Sequence, residues 1–562
     1  MKRTGRVFFA WVLAATGLLP AVCAAAAETE GGLLVQSKTY ALVPLKSAAP
    51  SLVPTLLSLQ GLVNRAGPQL YLTPADDGAE MHWVRWYEDY GLVPVRTDVE
   101  AALGQFLGEA KGYVLFDPGL PDSLNVAVVM AGIRGAVVCA PEHVPALEAA
   151  GLTMLEDLQG RWKGPIEAYT WAKEHLLPQC DTHVLANYEQ GDVPGPRPTM
   201  DYLVAHRGFC MGLSVNEADY PEEAALWDEV QSSAPDHAMM LGWHTPRDTE
   251  ATHVHFGSRH NVWVYCAGAW NMSFHQHVAA KKPYVQDHAA AAECNRNARY
   301  VAITLSDGDS WHSMCDAQKK FWRHPRRGEV PLGWEVAPVF AEVGPAVLEY
   351  YYRSRTPNDY LVCGPSGAGY NYLSAFDDWC GFLDHSRSLM EKTSLRTIWT
   401  INRVVRHLPG GVIEHRLKDG PIPYTKADME AFGGIKDQKG ADWVDPEMVS
   451  RYMAGIPEAL GFFQGWERIP GEGPRWVGGK VWCPTSALLR RDVDAVLQEF
   501  DDAASRQELP AFLAGHVNCY DADMDTVITT VRRLEEKGYT VVRPDRFLRL
   551  AEDAFRRGLC GQ

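Results

Sequence analysis

The chain has 562 residues, with 53 Lys and Arg set against 70 Asp and Glu for a formal charge of -17. It carries no basic run of five or more residues, which makes nucleic acid and anionic membrane surfaces poor partners. The length allows about three to four domains, whose cores need no disulfide staples, and the twelve cysteines include no C-x-x-C pair and no zinc-finger spacing.

Lys2, Arg3 and Arg6, the apolar stretch Val7 to Leu19 and the small residues up to Ala27 form the three-part pattern of a signal peptide. Cleavage is expected near Ala25 to Ala27, giving a secreted or periplasmic protein and leaving eleven cysteines and a charge of -20 after loss of those three basic residues. Val22 before Cys23 is a poor fit to lipoprotein processing. No later run of about 18 apolar residues follows, so no transmembrane anchor is expected.

Residues 28–108 and 109–190 read as two small α/β domains. Strand candidates Tyr71 to Thr73, Tyr113 to Phe116 and Gly135 to Cys139 alternate with helical stretches such as Ser51 to Leu59. Glu189 to Pro198, with three prolines and two glycines, is the best linker. A third unit, 191–290, is expected to hold strands at Tyr202 to Ala205, Met239 to Gly242 and Val262 to Cys266. Lys281 to Pro283 marks a second joint. Residues 296–550 then carry eight strand-sized apolar runs: Val301 to Leu305, Trp334 to Val339, Tyr360 to Cys363, Thr397 to Ile401, Leu460 to Gln464, Lys480 to Cys483, Ala511 to Ala514 and Thr540 to Val542. The expected fold is therefore a multidomain α/β protein whose C-terminal part is a (β/α) barrel of seven or eight strands. The gap from Asn402 to Gly461 makes the spacing uneven.

Asp307-Gly-Asp309 ends the first of these runs. Were the chain extended there, both carboxylates would project from one face, with alpha-carbons about 6.6 Å apart. Such a pair can divide acid and base roles or hold a divalent cation. The same D-G pair is also a common turn and helix-capping signature, and both readings stay open. Cys363 to Tyr372 follows another strand with Gly364, Gly367 and Gly369 for close backbone approach and Tyr370 and Tyr372 as rings and hydroxyl donors. It lacks the Lys-Ser/Thr of a P-loop, and Ala368 breaks the serine elbow. A bridge between Cys363 and Cys380 is allowed in an oxidising compartment. Asn402, Trp466, His516 and Asn518 follow other strand candidates, with Asp377, Asp378 and Asp521 nearby, and His516 is the favoured proton-transfer or hydroxyl-donor residue of this set. The pairs His253/His255 and His275/His277 would converge only on strands, and no H-E-x-x-H or H-x-x-x-H occurs, so no metal ligand set is assigned.

Asp307-Gly-Asp309, Gly333-Trp-Glu-Val-Ala-Pro338, Tyr350 to Tyr352 with Asn358-Asp359, Gly367-Ala-Gly-Tyr-Asn-Tyr372 and, upstream, Leu59-Gln-Gly-Leu-Val-Asn-Arg65 together resemble the GxGYxYP family. Leu373 stands where the eponymous motif ends in proline. That family bears an inferred glycoside hydrolase assignment. The resemblance implies a carbohydrate substrate, and together with the strand-end positions it gives the expected site: Asp307 and Asp309 as the leading carboxylates, with Trp311, Gly367, Gly369, Tyr370, Tyr372, Asn402, Trp466 and His516 around the sugar. No cofactor is expected beyond an optional divalent cation at the two aspartates. A noncatalytic glycan-binding protein and a metal-dependent deacetylase or other carbohydrate hydrolase are the rival expectations.

Overall fold

Short apolar strands alternating with buried helices build three small parallel sheets and then a barrel. The computed structural model describes residues 39–560 apart from 75–78, 191–198, 244, 267, 269, 377, 402–404, 409–411, 418–419, 425–445 and 466–472. The first sheet joins β1 (Thr39–Pro44), β2 (Leu70–Thr73) and β3 (Val93–Arg96) in the order β2-β1-β3. The second joins β4 (Tyr113–Leu115), β5 (Val137–Cys139) and β6 (Met154–Asp157) as β5-β4-β6. The third holds β7 (Val184–Asn187), β8 (Phe209–Met211), β9 (Met239–Gly242) and β10 (Trp263–Cys266) as β10-β9-β7-β8.

These sheets share helices. Every residue of the helix Val53–Val63 is buried, because further helices cover it on several sides. Gly61 lets the helix Met200–His206 approach: a Cβ there would lie 2.4 Å from the Asp201 carbonyl oxygen. Buried polar groups must be paired, and the Leu59 to Arg65 segment does that work. Gln60 Nε2 donates to the Leu70 carbonyl at 3.0 Å and to Asn271 Oδ1 at 2.6 Å, Asn64 Nδ2 to the Leu70 carbonyl at 2.9 Å, and Arg65 to the carbonyls of Gly132 and Val204 at 2.5 and 2.8 Å. This motif therefore ties the first, second and third units together.

Two sequence expectations change here. Tyr202 to Ala205 is helical, inside Met200–His206, because this apolar run is wedged between the helices Val53–Val63 and Ser123–Arg134. Short apolar runs suit either structure, and packing decides. β7 lies in the stretch assigned to the second unit, yet pairs with β8 and β9 of the third.

The barrel begins with β11 (Arg299–Leu305), β12 (Leu332–Val336), β13 (Asp359–Cys363) and β14 (Thr397–Thr400). An antiparallel insertion of β15 (Val405–Leu408), β16 (Val412–Leu417) and β17 (Gly420–Tyr424) lies within the long gap noted in the sequence. β18 (Gly461–Gln464), β19 (Arg475–Val477), β20 (Lys480–Leu489), β21 (Ala511–Val517) and β22 (Tyr539–Val541) follow. Seven parallel strands close the ring in the order β11-β12-β13-β14-β18-β20-β21 and back to β11. The eighth run, β22, is no full stave: it pairs with Arg299 to Val301 at the start of β11, while Thr304 and Leu305 pair with β12.

Aromatic rings fill the end where the strands begin. Tyr300 stacks on Phe512 at 5.2 Å, and Phe547 of the helix Pro544–Arg556 meets Phe463 and Phe512 at 5.6 and 5.4 Å. At the opposite end the buried residues are polar: Thr304, Glu335 and His516, beside Trp399.

The loop after β13 leaves the barrel and docks on the third sheet. Tyr370 and Val264 of β10 exchange two backbone hydrogen bonds, of 2.8 and 2.9 Å. Gly369 makes this approach feasible, since a Cβ would fall 1.8 Å from Trp263 Cε3. Gly369→Ala is expected to lower stability by about 1–3 kcal/mol, the usual size of an overpacking penalty. A chemical-denaturation midpoint equal to that of the wild type would show that this contact can relax without loss.

Candidate active site

β11 ends at Leu305, and the chain then turns, the second of the two readings left open by the sequence. Asp307 has φ 70°, a left-handed conformation uncommon outside glycine, and the Ser310 N–H donates to its carbonyl at 3.1 Å. Gly308 is required because its backbone lies on that of β12: a Cβ would sit 2.2 Å from the Glu335 carbonyl carbon, and the Gly308 carbonyl accepts the Ala337 N–H at 2.9 Å. The D-G-D segment is thus a turn, and the turn keeps both acids at the carboxyl end of the barrel. Asp307 is partly exposed, whereas Asp309 is buried.

Glu335, inside the Gly333 to Pro338 segment, is a third carboxyl group that the sequence reading did not single out. It is fully buried near the carboxyl end of β12, next to Gly364, where a Cβ would come within 3.0 to 3.2 Å of its side chain. Burial, then the charge of Asp307, then that of Asp309 raise Glu335 well above the ordinary carboxylate range. Burial raises Asp309 in the same way, with Asp307 and Glu250 adding to it. Like charges in one dry site cannot all ionise, so protons stay on the buried members.

His516 of β21 stacks on Trp399 at 4.3 Å and 12°, with Nδ1 2.9 Å from Thr304 Oγ1 and 3.7 Å from Glu335 Oε1. Close as they are, His516 and Glu335 do not form a salt bridge: burial pushes His516 down to about 3 and Glu335 upward, so both hold their neutral forms. Fully buried, His516 has no surface from which to meet a sugar hydroxyl directly.

The loop after β21 completes the rim. Burial, then the Asp307 charge, pushes the Cys519 thiol up, so it stays protonated; its Sγ lies 3.0 Å from Asp307 Oδ2 and donates to it. Tyr520 beside it is 56 % exposed. Neither residue stood out in the sequence, where nothing in Asn518-Cys-Tyr520 departs from an ordinary loop. Glu335 did carry a signal: an acid flanked by Trp334 and Val336 in a strand buried on both faces is costly unless it has a task.

The other expected site residues divide. Trp311 is 1 % exposed, stacked on Phe340 at 4.9 Å and 5.2 Å from His275; this is core packing, with no free sugar platform. Tyr370 and Tyr372 are likewise buried, because the loop docks on the third sheet; the Tyr370 hydroxyl donates to Glu250 Oε1 at 2.7 Å and lies 3.3 Å from that of Tyr372. Gly369 accommodates Trp263, and Gly367, at φ 129°, accommodates Ser386. Asp378 caps the helix Trp379–Lys392 and contacts His237 at 3.1 Å, Asn518 Oδ1 accepts the Tyr520 N–H, and Asp521 is exposed. Asn402, Trp466 and Asp377 lie outside the described residues. Cys363 and Cys380 are both free thiols, and the Cys363 thiol faces the Gly367 carbonyl at 3.5 Å. His253 and His255 lie on the helix Glu250–Arg259, and His275 ends the helix Met272–His275, so neither pair has strand geometry. Among the described residues no group of three or more His, Cys, Asp or Glu is arranged to hold a metal ion, and no helix is long and apolar enough to cross a membrane.

Comparison with known proteins agrees with this architecture. Residues 110–180 match the "GxGYxYP_N second domain", 186–277 the "GxGYxYP third domain", and 297–472 the "GxGYxYP putative glycoside hydrolase C-terminal domain". The third-domain match begins inside β7. A crystal structure described as a putative hydrolase from Bacteroides thetaiotaomicron superposes with a TM-score of 0.75 at 20 % identity, covering 94 % of this chain and 96 % of that one, a likeness of fold. No curated protein matches the chain. Through its second, third and C-terminal domains, the chain belongs to the GxGYxYP family.

Proposed function

We propose that the protein is an exported glycoside hydrolase acting on an oligo- or polysaccharide by carboxylate acid/base chemistry. The observation that carries this reading is the contrast in setting between Asp307, partly exposed and touched by a thiol donor, and Asp309, buried two residues on with its carboxyl group raised by that burial, at the carboxyl end of a parallel barrel. Barrel enzymes place their chemistry at that end, and two carboxyl groups pushed apart in pKa divide acid and base roles. Asp309 then protonates the leaving glycosidic oxygen, and Asp307 supplies the carboxylate that attacks or that activates water. Glu335 sits beneath them as a neutral, proton-holding neighbour whose ionisation Asp307 and Asp309 oppose. This chemistry requires no cofactor. The signal-like segment 1–27 supports a site of action outside the cytoplasm.

The direct test is product release from a broad panel of polysaccharides and glycosides. Asp307→Asn and Asp309→Asn are each expected to cut the rate at least about a hundredfold, the scale of a lost general acid or base. Binding of a glycan without turnover, equal in wild type and both variants, would replace the hydrolase with a glycan-binding protein.

The raised carboxyl groups also predict how stability depends on pH. Unfolded Asp and Glu titrate near about 4, so above that pH the native state binds more protons than the unfolded one at Asp309 and Glu335. Stability at these two sites is therefore lost as pH rises from about 4 towards their raised folded values. Asp309→Asn and Glu335→Gln remove the ionisable group. Each is expected to be more stable than wild type at neutral pH, with a margin that widens by up to about 1.4 kcal/mol per pH unit and closes near pH 4. Denaturation curves with a margin independent of pH would show that these carboxyl groups ionise normally.

A further inference from the structure

Tyr520 is the most exposed aromatic side chain among the described residues, at 56 %. It lies at the mouth of the candidate site, one residue after the cysteine whose thiol touches Asp307. Its backbone and its hydroxyl are each held by a hydrogen bond. The backbone N–H donates to Asn518 Oδ1 at 2.8 Å, and the hydroxyl lies 3.0 Å from Oγ of Ser313, a buried residue four places beyond Asp309. An aromatic ring left in water forgoes a large burial gain, and one fixed in place beside a reactive centre is preorganised for a flat ligand. The aromatic residues expected from sequence to hold the sugar and described here, Trp311, Tyr370 and Tyr372, are all buried, so none offers a ring face to solvent.

We propose that Tyr520 is the sugar-binding platform of this site, its exposed ring stacking on the apolar C–H face of a pyranose ring whose glycosidic bond then reaches Asp307 and Asp309. The assignment rests on the glycan reading above. A pyranose suits this position because its axial C–H bonds form an apolar face while its hydroxyls point outward to water and to the polar rim. The tyrosine hydroxyl serves to anchor the ring through Ser313, so the ring itself, and not the hydroxyl, makes the contact.

The test reads binding, not turnover. Purified Asp309→Asn protein, which leaves a bound glycan intact, is applied to an array of defined oligosaccharides with Tyr520 intact, as Tyr520→Phe and as Tyr520→Ala. Tyr520→Phe and Tyr520→Ala both lose the hydroxyl contact with the buried Ser313, so the Phe variant controls for that loss, and binding is read at a temperature at which all three are folded. Tyr520→Phe keeps most of the binding, and Tyr520→Ala weakens it at least about tenfold, the scale of one lost aromatic contact. Equal binding by the Ala variant overturns the platform, as does the absence of binding to any oligosaccharide on the array. Failure of the hydrolase reading looks different: the wild type cleaves nothing, while binding still depends on the ring at 520.

Discussion

The candidate site depends on how closely two backbones meet. The turn through Gly308 rests on the main chain of Glu335, and the hydrogen bond from Ala337 N–H to the Gly308 carbonyl locks β12 to the end of β11. Side chains cannot intervene at that spacing. Asp307 and Asp309 are consequently held above β12, while Glu335 is sealed beneath the turn, with Gly364 leaving room on its other side. The left-handed backbone at Asp307 is strain that the closed barrel can hold, because a seven-stranded ring leaves neither β11 nor β12 free to slide.

The upstream units hold the far wall. Backbone pairing between Val264 and Tyr370 joins the third sheet to the loop after β13, and the Tyr370 hydroxyl reaches Glu250 at the start of the helix Glu250–Arg259. Glu250 in turn contributes charge at Asp309. A residue of the third domain thus adds, after burial and Asp307, to the upward push on a barrel carboxyl group. The clasp around Gln60, Asn64 and Asn271 makes the third unit rigid enough to do so, since it shares buried hydrogen bonds with the first. These domains brace the site from outside the barrel.

Much of this fold was legible because strand-sized apolar runs bounded by polar or glycine-rich residues leave a plain pattern: all eight runs after residue 299 are strands. What the pattern lacked was pairing. It could not show that β22 joins only the start of β11, nor that Tyr202 to Ala205 is a helix, because a short apolar run fits both structures until its neighbours are known. The site was legible in part for the same reason. Asp307 and Asp309 stood out as acids at a strand end, whereas Cys519 and Tyr520 gain their place only when β21 is brought beside β11. The aromatic residues were misleading because a glycine- and tyrosine-rich loop after a strand looks open. Here it is pinned to another sheet, and its rings become core.

Burying three neutral groups, Asp309, Glu335 and His516, at the carboxyl end of the barrel is a poor way to stabilise a fold, since apolar side chains of the same size would pack there without any loss of solvation. The burden falls at one end alone. Where the strands begin, Tyr300, Phe463, Phe512 and Phe547 form an aromatic plug, and the helix Pro544–Arg556 closes over it. Stability is gathered there, and the opposite end is free to hold carboxyl groups whose environments differ. That division suits acid/base work, which asks for one carboxyl group raised by a dry neighbourhood beside a second that water can reach. Asp309, buried and raised, and Asp307, partly exposed, stand in those two settings within a single turn of chain, so it is the turn that sets the contrast between them.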